Sequence, residues 1–160
     1  MLSQNINRVD HVVFMYKLEN IEQVVKKIAA ALGINDFGEP REIPGTVRMY
    51  ISWSSGLEFV APLTSEDNAF NRFLAKRGEG FFALMYGVSD MDEAMRRVAG
   101  QDIGLISNIT LEDNVSPPGE PVIVLPESFD RERRMFTSFK EKWLEEVCGV
   151  YFGLIEAKPT

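Results

Sequence analysis

The chain is poor in the residues that most often carry recognisable chemistry. It has one cysteine, Cys148, and one histidine, His11, in 160 residues. A single cysteine excludes an intrachain disulfide, and one Cys with one His cannot supply the paired spacings of a structural zinc site. Basic residues are outnumbered as well: 17 Lys and Arg stand against 24 Asp and Glu, a net charge of −7. That balance argues against a phosphate backbone or an anionic membrane as the main partner. No uninterrupted apolar run approaches the ~20 residues of a membrane span. The opening "MLSQNINRVD" has no basic segment followed by an apolar core, so no secretory signal is read there. We therefore expect a cytoplasmic protein that binds neither nucleic acid nor membrane. Cys148, in "EEVCGVYF", reads as a small buried apolar residue.

What is present is ordinary globular material, 45% hydrophobic and 26% charged, enough for one structural domain built of two small modules. Val9 to Tyr16 alternates as a strand, with Val9, His11, Val13 and Met15 on one face. Ile21, Val24, Val25, Ile28, Ala29 and Leu32 then recur at helical spacing, with Asn20 as N-cap and Gly33 as C-cap. "GEPREIPG" reads as a turn, and "TVRMYISWSSGLEFVAP" as two strands joined at Ser-Ser-Gly and ended by Pro62. A short helix is expected between Ser65 and Arg77, with Phe70, Phe73 and Leu74 on its inner side.

"GEGFFALMYGVSDMDEA" (Gly78 to Ala94) repeats the plan of "VDHVVFMYKLENIEQVV" (Val9 to Val25). Aligning Leu18 with Val88 puts Asn20 on Asp90 and Val24 on Ala94, while the strands match best with His11 on Ala83. Such an internal repeat predicts a duplicated unit. Asp90 caps the second helix, whose stripe is Met91, Ala94, Met95 and Val98. Further strands are expected in "IGLISNIT", "EPVIVLP" and "VYFGLIEA", with "NVSPPG" as the turn between the first two. Glu127 to Gly149 does not fit the repeat. Phe139, Trp143, Leu144 and Val147 sit there at helical spacing, which predicts an inserted amphipathic helix that covers either the binding site as a lid, the favoured reading, or a partner subunit. The division is thus residues 1–65 as the first module, and 66–160 as a linker helix and second module with the insertion at about 127–149.

The motifs "DHVVF", "LEFVAP", "FLAKRGEG" and "VSDMDEAMRRVAG" resemble those of the vicinal oxygen chelate superfamily. That superfamily holds glyoxalase I, methylmalonyl-CoA epimerase, extradiol dioxygenases and bleomycin-resistance proteins. The stretch from Phe73 to Gly100 is most similar to methylmalonyl-CoA epimerase. The resemblance implies an α+β fold of two βαβββ modules forming a partly open, barrel-like cup, and a homodimer. In the metal-dependent members each module gives two ligands to a divalent ion. Carried over by motif, those positions fall on His11 and Glu58 in the first module and on Ala83 and Gly153 in the second.

Neither alanine nor glycine can ligate through its side chain, and two ligands make a weak, labile site. No cofactor is therefore expected, with a weak divalent ion on His11 and Glu58 as the remaining option. Glu156 has the opposite strand parity to Gly153 and points away; only a bulge that turns it inward, or Glu127 reaching over from the insertion, would restore a ligand. The candidate ligand-binding set is Phe81, Ala83, Met85, Tyr151 and Gly153, an apolar and aromatic wall suited to a small apolar or aromatic molecule. The alternative is an epimerase-like isomerase or lyase acting on an acyl or aromatic substrate, with His11 and Glu58 as the catalytic pair. The same residues could equally be core, with His11 and Glu58 satisfying each other. Arg131, Arg133 and Arg134 read as a solvated face, with anion steering as the other reading.

Overall fold

A computed structural model of the chain describes residues 7–111 and 119–160. It contains, in chain order, β1 (Val9–Met15), α1 (Leu18–Leu32), β2 (Arg41–Ile43), β3 (Val47–Ser52), β4 (Leu57–Pro62), α2 (Ala69–Arg77) and β5 (Gly80–Gly87). There follow α3 (Met91–Ala99), β6 (Leu105–Thr110), β7 (Val122–Val124), α4 (Asp130–Met135), β8 (Phe136–Leu144) and β9 (Tyr151–Pro159). The chain divides into two compact units, His11–Phe82 and Ala83–Thr160, the second taking in the described residues before His11. The helix α2, expected to open the second module, thus belongs to the first unit. No helix among the described residues is long and apolar enough to cross a membrane.

In the first unit the strands run β2-β3-β4-β1, with β1 parallel to β4 and the other pairs antiparallel. A parallel pair needs a crossover, and α1 begins it. Ile21 and Val25 on α1 are buried with Phe37, Tyr50, Phe59 and Ala61, and Phe14, Tyr16 and Leu57 pack beside them. One face of the sheet is therefore apolar beneath the helix. The opposite face carries His11, Val13, Met15, Met49, Ile51, Glu58 and Val60, all buried. Gly33 ends α1 at φ 69°, a left-handed conformation that glycine adopts without strain. Asn20 is not the N-cap. That position is Lys17, whose N–H donates to Glu79 Oε1 at 2.8 Å, and the Asn20 side chain donates to the same oxygen at 2.9 Å. A residue 59 positions away in sequence thus caps the helix. Within "GEPREIPG", Arg41–Ile43 forms the strand β2 because β3 offers it a ladder.

In the second unit the strands run β5-β9-β8-β6-β7, with β5 parallel to β9 and β8 antiparallel to both β9 and β6. Removing β7 and α4 leaves the order and directions of the first unit. The extra material therefore lies between β6 and β8, and the inserted helix expected over about 127–149 is not there. Only Asp130–Met135 is helical, and Phe136–Leu144 is a strand with partners on both sides. The register shifts between Phe136 and Ser138, so Phe136 and Phe139 both turn inward with ring centroids 5.6 Å apart. A β-bulge thus counterfeits helical spacing. Trp143 and Leu144 are both buried because both faces of this strand are covered. Cys148 falls in the turn after β8, exposed and at φ 50°, rather than in the core. The turn expected at "NVSPPG" lies, apart from Gly119, outside the described residues.

Candidate functional site

His11 lies two residues before Val13, which pairs in register with Glu58 across the parallel β1–β4 ladder. Alternation along β1 puts His11 and Val13 on the same face, and the Val13–Glu58 pair sets the carboxylate beside them. His11 Nε2 stands 3.0 Å from Glu58 Oε2, both side chains over nine-tenths buried. The approach is close but is not a well-aligned hydrogen bond. The Trp53 ring meets the His11 imidazole edge-on, with centroids 5.6 Å apart and planes at 79°. Trp53 rides on the turn between β3 and β4, which is tied down from outside the sheet. Asp36 accepts from the Ser52 hydroxyl and, at 3.2 Å, from the Ser54 N–H, while Ser55 donates to the Ser52 hydroxyl at 2.7 Å. An imidazole, a carboxylate and an indole are thereby held together, a set able to hydrogen-bond a ligand or relay a proton.

The second unit answers this arrangement position for position. Ala83 pairs with Tyr151 and Met85 with Gly153, so Met85–Gly153 is the counterpart of Val13–Glu58. Ala83 and Met85 are completely buried, and Tyr151 is half-buried. A β-carbon on Gly153 would overlap Met85 Sδ and Cε and sit 3.3 Å from the Lys142 carbonyl. The thioether occupies the space that a side chain at residue 153 would need. Phe81 stands apart from this set. It is 45% exposed, and its ring meets the edge of Phe14, on the sheet face beneath α1.

The remaining acidic candidates have other work. Glu156 Oε2 accepts the Met91 N–H at 2.7 Å, satisfying a free donor at the start of α3, as its strand parity predicts. Glu127 is exposed. Arg133 donates to the Leu111 and Leu125 carbonyls, and Arg134 pairs with Asp130 at 2.6 Å, so both serve local structure. One buried acidic residue is hidden from sequence reading, because the apolar spacing of its segment mimics a helix. Glu141, 6% exposed, pairs with Ile155 on the Gly153 face and accepts from Trp143 Nε1. Strand alternation in "FTSFKEKWL" was the available signal. Among the described residues no group of three or more His, Cys, Asp or Glu side chains is arranged to hold a metal ion.

No protein-family model and no curated protein sequence matches the chain. Solved structures do. Methylmalonyl-CoA epimerase from Mycobacterium tuberculosis superposes with a TM-score of 0.64 at 20% identity, covering 99% of this chain and 94% of that one. Streptomyces coelicolor methylmalonyl-CoA epimerase in complex with 2-nitronate-propionyl-CoA gives 0.61 at 18%, covering 94% and 97%. A hypothetical protein from Bacillus halodurans C-125 gives 0.63 at 19%, covering 96% of each chain. At such identity the likeness speaks for architecture alone: the chain has the α+β fold of these epimerases, the glyoxalase or vicinal oxygen chelate fold.

Proposed function

We propose that the chain binds a small apolar or aromatic molecule at the His11 face of the first unit, without a divalent metal. The observation that carries this reading is Met85 packed over Gly153. The donor set of the metal-dependent members does not fit these residues: Ala83 offers no donor atom, Gly153 has no room for one, and Glu156 is engaged at α3. His11 and Glu58 serve as the polar anchor, giving orientation to a ligand that gains most of its affinity from apolar contact. The experiment is elemental analysis of chain purified without chelator or metal-binding tag, with ligand-observed NMR against a set of aromatic fragments. The expected result is no stoichiometric metal and fragment binding that His11→Ala removes. Near one ion per chain, lost in His11→Ala, overturns the reading.

A second reading is favoured by one observation, the 3.0 Å approach of His11 to Glu58. A base and an acid so placed could move a proton at a carbon next to a carbonyl, in keeping with the epimerases that share this fold. The pair would then act as general base and general acid on an acyl substrate. Solvent deuterium incorporation into an acyl-thioester, abolished by Glu58→Gln, would select this reading over simple binding.

A further inference from the structure

The other face of the first unit's sheet contains a feature that neither reading uses. Between α1, residues 34–40 and β3 lies a cavity of about 610 Å3, within the usual range for small-molecule sites. Its floor is apolar, built from Val25, Phe37 and the ring of Tyr50, each no more than 6% exposed. The Tyr50 side chain lines this space, and among the described residues no group hydrogen-bonds its hydroxyl. A phenol whose ring is sunk in the core normally finds a partner for its O–H. Here the hydroxyl faces the open side of the cavity, and a ligand that enters takes the place of solvent on it.

The rim says what enters. Glu22, Lys26, Glu39 and Arg48 surround the opening. Lys26 is paired with Glu22 at 2.6 Å and Arg48 with Glu42 at 2.7 Å, so both cations are already matched. Glu39 adds a negative charge, which disfavours an anionic ligand. Burial, above all, raises the Tyr50 pKa from its ordinary value, with Glu22 adding to the effect, so the hydroxyl stays protonated at neutral pH and donates. We infer that this cavity is a second ligand site, taking a neutral, flat apolar molecule whose single carbonyl oxygen accepts a hydrogen bond from Tyr50. The site is separate from the His11 face. Met49 and Ile51, on either side of Tyr50, pair with Val60 and Glu58 and point to the opposite side of the sheet.

The test uses the full chain with acetophenone as probe and ethylbenzene as its analogue without the oxygen. Ring-labelled tyrosine NMR resolves four tyrosines, and Tyr50→Phe assigns the relevant resonance. Acetophenone should move the Tyr50 signal saturably, and ethylbenzene should bind several-fold more weakly. Tyr50→Phe should weaken acetophenone by about 3–10-fold, the worth of one hydrogen bond. Ala29→Phe, which fills the cavity, should abolish the shift that either probe causes in the Tyr50 signal, while His11→Ala, on the other face, leaves that shift in place. Thermal melts accompany each variant. If Ala29→Phe unfolds, Tyr50→Phe still decides, since it removes one oxygen and keeps the ring. The inference is overturned if acetophenone leaves the Tyr50 signal unmoved up to its solubility limit, or if Tyr50→Phe binds it as tightly as the parent. It is also overturned if His11→Ala abolishes the shift of the Tyr50 signal itself, which would place the probe on the other face.

Discussion

Replacing Gly153 by alanine tests whether the Met85 thioether truly closes the second unit's ligand position. The new β-carbon would overlap Met85 Sδ and Cε, and Met85 is completely buried, so the thioether can move only by displacing packed neighbours. Overpacking of this kind costs about 1–3 kcal/mol. The backbone at Gly153 is not in the left-handed region, so alanine itself is unstrained there and recovers about 0.5–1 kcal/mol of chain entropy. The expected net loss is about 0–2.5 kcal/mol, a fall in Tm of up to roughly 10 °C for a domain of this size. Met85→Ala alone should cost about 2–5 kcal/mol by leaving a cavity. In that background Gly153→Ala should be neutral or stabilising, so the double-mutant cycle should show at least ~1 kcal/mol of coupling. Urea denaturation of the four proteins measures it. Additive effects in the cycle would refute the steric argument and with it the claim that no larger side chain fits there.

Glu58→Leu should lower stability by about 1–3 kcal/mol, because it takes the neighbouring polar group from a buried imidazole, and Glu58→Gln should lower it less; chemical denaturation separates the two. The Glu79 carboxyl is held below its usual pKa, first by the Asn20 side chain and then by the Lys17 N–H. A depressed carboxyl contributes stability above its unfolded pKa and loses it as pH falls through the folded value. Glu79→Gln should therefore be slightly less stable than the parent at neutral pH and converge with it on acidification, as thermal melts across pH would show. Cys148, exposed in the turn after β8, should react with a thiol reagent in the native protein at one equivalent per chain, and a rate that rises only on unfolding would contradict its placement.

Local chemistry was enough to read much of this chain. The stripe from Ile21 to Leu32 closed by Gly33, the Ser-Ser-Gly turn, Asp90 as a cap and the doubled plan all follow from periodicity and turn chemistry, and each appears where expected. The meeting of His11 with Glu58 is what the family resemblance implies, and the parallel β1–β4 ladder brings them together. Tertiary structure decided the rest. "FTSFKEKWL" has apolar residues at helical spacing, yet β6 and β9 supply hydrogen-bond ladders on both its edges, and a bulge reconciles that spacing with a strand. A strand there buries Glu141, which alternation alone could signal only once the segment is known to be a strand, and exposes Cys148. Glu79 capping a helix 59 residues away, and Met85 filling the space above Gly153, are likewise contacts between segments distant in sequence. Periodicity specifies which residues turn inward, but only packing settles what they meet there.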